Sequence, residues 1–95
     1  MVAPRSITDP RGREVLLTAE RWRHIVAAHP ELAPYEETIL RAVAAPTEAL
    51  PGREPDEEWF YLGDAGPSRW LKVVVLFDSQ SRGRIITAFP RRRKP

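Results

Sequence analysis

The sequence contains no cysteine, and this absence removes several kinds of chemistry at once. Disulfide bonds, zinc–thiolate sites and thiol nucleophiles are all excluded. The chain also has no apolar run long enough for a membrane span or for the h-region of a secretory signal peptide. We therefore expect a cytoplasmic protein that does not enter a membrane. Its chemistry must come from His, Asp, Glu, Tyr, Ser, Thr, Lys and Arg.

Length and composition set further bounds. With 95 residues we expect a single domain over 1–95, with one modest core and no cofactor-binding unit, and therefore no cofactor. The formal net charge is only +2, but thirteen of the fifteen basic residues are arginines and the pI is about 9.5. This balance is compatible with a phosphate-bearing partner. Composition alone slightly favours a simpler explanation, in which Arg replaces Lys on the surface.

Charge is unevenly distributed along the chain. Acidic residues cluster within 54–58, and the last residues, 90–95, form a basic tail. The cations of this tail are Arg91, Arg92, Arg93 and Lys94. They could bind RNA phosphates, and they could equally be a solvated, frayed end of the chain.

The first half of the sequence predicts a hairpin followed by two helices. Turn chemistry at "DPRG", residues 9–12, separates two short extended runs and predicts a short hairpin over 1–17. Thr18 is a suitable N-cap for a first helix, which should end before Pro30 because a proline disfavours helical geometry in the residue before it. A second helix is expected to begin near Pro34. The expected buried positions of the two helices are Trp22, Ile25 and Val26, then Ile39, Leu40 and Val43.

The second half predicts strands. The runs "EEWFYLGD", "RWLKVVVLFD" and "GRIITAFP" are aromatic or β-branched and are separated by turn-forming segments, which predicts a three-stranded antiparallel meander. The segment "TEALP" could add an edge strand. The predicted fold class is therefore α+β, with a short N-terminal hairpin and two helices packed on one face of a three- to four-stranded antiparallel sheet.

Alternation along these strands sorts their side chains between the two faces of the sheet. Leu71, Val73, Val75 and Phe77 are the better core set, which leaves Lys72 on the other face. On the last strand we expect Ile86 and Ala88 in the core and Ile85, Thr87 and Phe89 opposite. If the register permits, Tyr61, Lys72 and Thr87 then converge on the open face. The simpler interpretation, which alternation alone favours, is that Lys72 extends its ammonium to solvent and Thr87 is an ordinary strand residue.

Both histidines lie in the first helix region, "RWRHIVAAHPE". A helical zinc motif has histidines at i and i+4 with a carboxylate between them, whereas His24 and His29 are five positions apart and separated by apolar residues. We therefore expect no metal site. By helical phase His29 shares the stripe of Trp22 and Ile25, and His24 falls on the opposite side. Taken singly, each is more simply explained as a packed or an exposed residue.

The order of motifs along the chain gives a further indication. A helix with "HI" and then "HPE", a second helix ending in Ala-Pro, and then "WFYLG", "LKVVVLF" and "IITAFP" resembles the barnase–EndoU–colicin–RelE-like superfamily of phage- and toxin-associated ribonucleases. The resemblance extends from about Leu17 to Phe89. It implies a small metal-independent ribonuclease in which helices precede a four-stranded antiparallel sheet that carries the active site. It also implies RNA as a partner, together with an antitoxin or immunity protein.

By this resemblance the helix histidines correspond to His24 and His29, and the lysine of the sheet corresponds to Lys72. The aromatic residue corresponds to Tyr61 and the hydroxyl of the last strand to Thr87. The glutamate base of some members of the superfamily has no clear counterpart, which leaves the identity of the general base open.

RNA cleavage without a metal needs a base for the 2′-hydroxyl proton, an acid for the departing 5′-oxygen and donors that stabilise the phosphorane. Histidine suits both proton transfers, since its usual pKa of roughly 6.5 makes both forms available near neutrality. We take His29 as the first acid/base candidate and His24 as the second. Lys72 would stabilise the phosphorane, Thr87 would donate to phosphate, and Tyr61 would stack or move a proton.

Two other classes of function remain open. In the first, the protein is a non-catalytic module of the same fold that binds RNA or a protein partner, and its histidines are structural. In the second, it is an inhibitor or regulatory subunit that makes contact through the acidic residues 54–58.

Overall fold

The computed structural model describes residues 4–95. Two strands come first, then two helices separated by a 3₁₀ segment, and then four more strands. The elements are β1 (Arg5–Thr8), β2 (Glu14–Leu17), α1 (Ala19–Ala28), the 3₁₀ segment (Pro30–Tyr35), α2 (Glu36–Ala44), β3 (Glu48–Pro51), β4 (Glu57–Gly63), β5 (Trp70–Phe77) and β6 (Gly83–Arg91).

All six strands belong to one sheet, in the order β1-β2-β6-β5-β4-β3. The antiparallel meander of the second half forms as predicted, and the "TEALP" segment supplies its edge strand β3. The prediction of a three- to four-stranded antiparallel sheet was wrong, because the N-terminal hairpin joins the sheet as two further strands. β2 runs parallel to β6, where Val15 pairs with Gly83 and Leu16 with Arg84. The connection between β2 and β6 is long enough for parallel pairing, since it contains both helices and three strands.

The hairpin turn has the chemistry that its sequence indicated. The Asp9 carboxylate accepts hydrogen bonds from the backbone N–H groups of Arg11 and Arg13, at 3.0 and 2.8 Å. The Gly12 N–H donates to the Asp9 carbonyl, and Gly12 has a φ of 81°, which glycine adopts without steric cost.

The helices begin and end at signals visible in the sequence. The Thr18 hydroxyl caps α1 by accepting from the Arg21 N–H at 3.1 Å, and α1 ends at Ala28. The second helix begins at Glu36, two residues after Pro34, which itself lies inside the 3₁₀ segment. Prolines at both 30 and 34 lack the N–H donors that a continuous α-helix needs. No helix within residues 4–95 is both long enough and apolar enough to span a membrane.

Both helices contribute to a core on one face of the sheet. Ile39, Leu40 and Val43 of α2 are buried as predicted, and Ile25 of α1 joins them in the same cluster. The sheet contributes the predicted β5 residues to this cluster, namely Leu71, Val73, Val75 and Phe77. The opposite side of the sheet, which we call the open face, carries no helix of the described chain.

The faces predicted for β6 were wrong at two positions, Ile85 and Ile86. Val74 pairs with Thr87, but the next β5 residue, Val75, pairs with Ile85, so Ile86 is an extra residue in a β-bulge. Ile85 and Ala88 are therefore the buried pair, whereas Ile86 is only half-buried. Strict alternation cannot reveal this shift. Counting back from Ala88, the extra residue in the bulge reverses the face of Ile85 relative to the regular pattern.

Arg13 ties the hairpin turn to β4. Its guanidinium donates to the Asp9 carboxylate at 2.6 and 2.9 Å and to the Glu58 carboxylate at 2.6 and 3.0 Å. The same group lies 3.7 Å from the centroid of the Phe77 ring. The side chain of Arg13 is only 14% exposed and that of Asp9 is fully buried. The Arg13 and Asp9 charges are therefore stabilised mainly by each other, because water has little access to either.

We expect Arg13→Ala to lower the free energy of unfolding by about 2–4 kcal/mol, because it leaves a buried carboxylate without its partner. Chemical denaturation would measure the change. Arg11 offers a matched control, since it is 73% exposed and lies 3.9 Å from the same Glu58 carboxylate. Arg11→Ala should change stability by less than about 0.5 kcal/mol. Equal effects of the two substitutions would show that the Arg13 network does not stabilise the hairpin.

Candidate functional site on the open face

The strand register brings the predicted polar residues of the sheet onto the open face. Tyr61 of β4 pairs with Lys72 of β5, and Lys72 pairs with Phe89 of β6. In the adjacent row Val74 pairs with Thr87. Paired residues point to the same side of a sheet, so Tyr61, Lys72 and Thr87 share one face.

Lys72 lies in a cage of aromatic rings. Its Nζ is 3.5 Å from the centroid of the Trp59 ring, 5.4 Å from that of Phe89 and 5.8 Å from that of Tyr61. The residue is only 5% exposed, and no carboxylate within residues 4–95 forms an ion pair with it. The rings stabilise the ammonium through cation–π attraction, but they do not neutralise it.

The environment disfavours the charge of Lys72 overall. Burial lowers the pKa of the Lys72 ammonium below its usual value, and the nearby Arg91 guanidinium lowers it further. The Glu57 carboxylate acts in the opposite direction, with a smaller effect than either. A buried cation with no anionic partner is suited to an anion supplied from outside the chain.

His29 reaches the open face from the end of α1. Its imidazole stacks on the Phe89 ring, with the centroids 5.8 Å apart and the planes 27° from parallel. The approach is possible because β2 covers the edge of β6 only at Gly83 and Arg84, while α1 packs along β6. Phe89 therefore contacts both the imidazole of His29 and the ammonium of Lys72.

His29 has one polar neighbour. Its Nδ1 lies 3.7 Å from the Glu31 carboxylate, beyond hydrogen-bonding distance, and the side chain of His29 is 35% exposed. The imidazole is thus accessible to a ligand on the open face while Phe89 restricts its orientation.

His24 does not join this group. It is exposed on α1, and within the described chain its side chain makes no hydrogen bond, ion pair or ring contact with the open face. The structure thus brings only one of the two predicted histidines to the sheet residues.

Tyr61 is on the open face but fully buried. Its ring meets the edge of Trp70 at a centroid distance of 6.3 Å, and its hydroxyl has no hydrogen-bond partner within residues 4–95. Burial raises the pKa of the Tyr61 phenol above its usual value, with Arg91 opposing and Glu48 adding to this shift. Tyr61 can therefore contact a ligand only if the groups that cover it move.

The basic tail predicted over 90–95 is only partly a tail. Pro90 and Arg91 belong to β6, and Arg92 and Arg93 are exposed beyond it. Lys94 folds back over the sheet, where it forms an ion pair with the Glu48 carboxylate. The strand β6 continues as far as Arg91 because Arg91 still pairs with Trp70 of β5.

Two aromatic residues of the site, Trp59 and Phe89, were not among the predicted functional residues. Alternation along β4 and β6 already assigns them to the face of Lys72, so their side could be found from the sequence. Their contact with the ammonium could not, because it depends on rotamers. Glu57 also lies on this face, since it pairs with Leu76, and its carboxylate accepts a hydrogen bond from Trp59 Nε1 at 2.5 Å.

Residues 4–95 contain no group of three or more His, Asp or Glu side chains arranged to hold a metal ion. Comparisons with protein families, with curated proteins and with solved structures found no match to this chain. The chemistry of the open face must therefore be argued from its own geometry.

Proposed function

We propose that the protein is a small metal-independent endoribonuclease of toxin or phage type whose active site is the open face of the sheet. One observation carries the proposal: His29 and Lys72 approach the same ring, that of Phe89, from two different elements. The imidazole is thereby brought close to a cation that has no anionic partner among residues 4–95. Thr87 adds a hydroxyl on the same face.

The expected reaction is transesterification at the 2′-hydroxyl of RNA. His29 takes the 2′-hydroxyl proton, and the 2′-oxygen bonds to phosphorus while the bond from phosphorus to the 5′-oxygen breaks. The products are a 2′,3′-cyclic phosphate and a 5′-hydroxyl, whose proton comes from water in this scheme. Lys72 stabilises the charge of the phosphorane, and Thr87 donates a hydrogen bond to a phosphate oxygen.

The element order supports the same proposal. Two helices followed by the antiparallel meander β3–β6 is the arrangement implied by the resemblance to the barnase–EndoU–colicin–RelE-like superfamily. The antiparallel hairpin β1–β2, which joins the sheet through the parallel pairing of β2 with β6, is an addition to it. An antitoxin or immunity protein that covers the open face, and a cytoplasmic location where RNA is available, belong to the same proposal. Arg91, Arg92, Arg93 and Lys94 are the proposed contacts for the RNA backbone.

A second candidate function is a non-catalytic RNA-binding module. The deep burial of Lys72 and Tyr61 favours it, because a group that acts on phosphate must be reached by phosphate. In this case the half-buried rings of Trp59 and Phe89 would stack on bases.

Incubating the purified protein with end-labelled single-stranded RNA in excess chelator separates the two functions. The proposed ribonuclease cleaves the RNA without an added metal. Retention of intact RNA on the protein would support the binding module instead. Loss of cleavage in chelator with recovery on adding one particular divalent ion would contradict metal independence.

A further inference from the structure

The residues after β6 cross the open face toward the far edge of the sheet. We call residues 92–95 the strap. Lys94 of the strap forms an ion pair with Glu48 on the edge strand β3, and its Nζ lies 4.4 Å from the centroid of the Trp70 ring on β5. The Arg91 guanidinium donates to the Pro95 carbonyl at 3.0 Å. The Lys94 side chain therefore reaches from the strap over β5 to β3, while Pro95 stays against Arg91 of β6.

Tyr61 lies beneath the region that the strap reaches. It is on β4, between β5 and β3, on the side of the sheet that carries no helix of the described chain. Trp70 covers its ring from one side, and Lys94 lies on Trp70 while it pairs with Glu48, the residue opposite Tyr61 on β3. The hydroxyl beneath is buried without a partner. A buried donor with no acceptor is unfavourable, so the closed strap leaves one polar group that opening would satisfy.

The contact that holds the strap is one that phosphate can replace. The Lys94–Glu48 ion pair is partly exposed, and such pairs contribute little to stability. Arg92 and Arg93 of the strap are already exposed, so a phosphate chain can bind them first. Once bound, its next phosphate competes with Glu48 for the Lys94 ammonium.

We propose that the strap is a gate over the Tyr61 end of the open face, and that single-stranded RNA opens it by taking Lys94 from Glu48. Opening exposes the Tyr61 hydroxyl beside Lys72 and lengthens the surface available to the RNA backbone. The choice of RNA as the ligand rests on the proposed function. The contact between Lys94 and Glu48 that closes the strap is independent of that function.

Proton NMR of the intact protein tests the gate. In the closed state the Trp70 ring should shift the side-chain methylene protons of Lys94 upfield. Glu48→Gln should move them to ordinary lysine positions in the free protein, and saturation with a 2′-O-methylated 20-nucleotide RNA should do the same in the parent. This RNA is chosen because it cannot be cleaved through its 2′-oxygens.

Affinity for the same RNA gives the second measurement. Glu48→Gln and Glu54→Gln both remove one negative charge, but the exposed Glu54 side chain makes no ion pair within the described residues. If the strap competes with RNA, Glu48→Gln should bind about three- to tenfold more tightly than Glu54→Gln. Equal affinities would overturn the gate.

The remaining outcomes separate the gate from the proposed function. A parent protein with no ring-shifted Lys94 protons has no closed strap. RNA that binds while these protons stay shifted overturns the gate alone. RNA that binds neither the parent nor Glu48→Gln overturns the proposed function together with opening by RNA.

Discussion

His29→Ala should reduce RNA cleavage by roughly two to four orders of magnitude, because it removes the proposed general base of the open face. The substitution should also abolish one limb of the pH–rate profile, since the titrating imidazole is gone. Rates measured in chelator between pH 5 and 9 would test both effects.

His24→Ala is the matched control for this experiment. His24 is on the same helix but exposed and away from the sheet, so its substitution should leave the rate within about twofold of the parent. Folding of His29→Ala must be verified, because loss of the stack on Phe89 costs about 0.5–1.5 kcal/mol. A folded His29→Ala protein with the rate and pH profile of the parent would show that the histidine only packs.

Lys72→Met should reduce cleavage by about two to three orders of magnitude wherever the Lys72 ammonium of the parent is charged, because it removes charge stabilisation of the phosphorane. Methionine retains an unbranched stem and makes favourable contacts with aromatic rings, so the cage stays filled. Stability should therefore not fall. A large loss of stability in Lys72→Met would show that the ammonium supports the fold through the cage.

The dependence of stability on pH gives an independent test of the same residue. Burial lowers the pKa of Lys72 in the folded state, so between that pKa and the ordinary lysine value the unfolded chain binds more protons than the folded one. The free energy of unfolding should rise with pH across this window. Lys72→Met should lack this rise. If the parent and Lys72→Met show identical slopes, the charge of Lys72 is not disfavoured by burial.

Local chemistry explains why so many elements of the fold could be predicted. The Asp9 turn, the Thr18 cap and the stop at Pro30 each depend on a few adjacent residues, and the meander follows from β-rich runs between turns. The parallel pairing of β2 with β6 could not be predicted in the same way. It joins Val15 to Gly83, residues far apart in the chain, and only tertiary packing selects it.

The candidate site, too, was predictable from the sequence only in part. Alternation was sufficient to assign Tyr61, Lys72 and Thr87 to one face, since each lies on the regular side of the bulge. It could not reveal that Tyr61 is fully buried, because that depends on how the Trp70 ring packs against it. Helical phase already separated His29 from His24. The structure adds the reason that His29 reaches the site, which is its position at the end of α1 beside Phe89.

The activity proposed for the open face is cleavage of RNA through its 2′-hydroxyl without a metal. The most direct test is an oligonucleotide with one ribonucleotide among 2′-O-methyl residues, incubated with the protein in chelator and analysed by mass spectrometry. The proposed chemistry predicts a single cut, 3′ to the ribonucleotide, with a 2′,3′-cyclic phosphate on one fragment and a 5′-hydroxyl on the other. Intact, bound oligonucleotide, or cutting at the 2′-O-methyl positions, would contradict it.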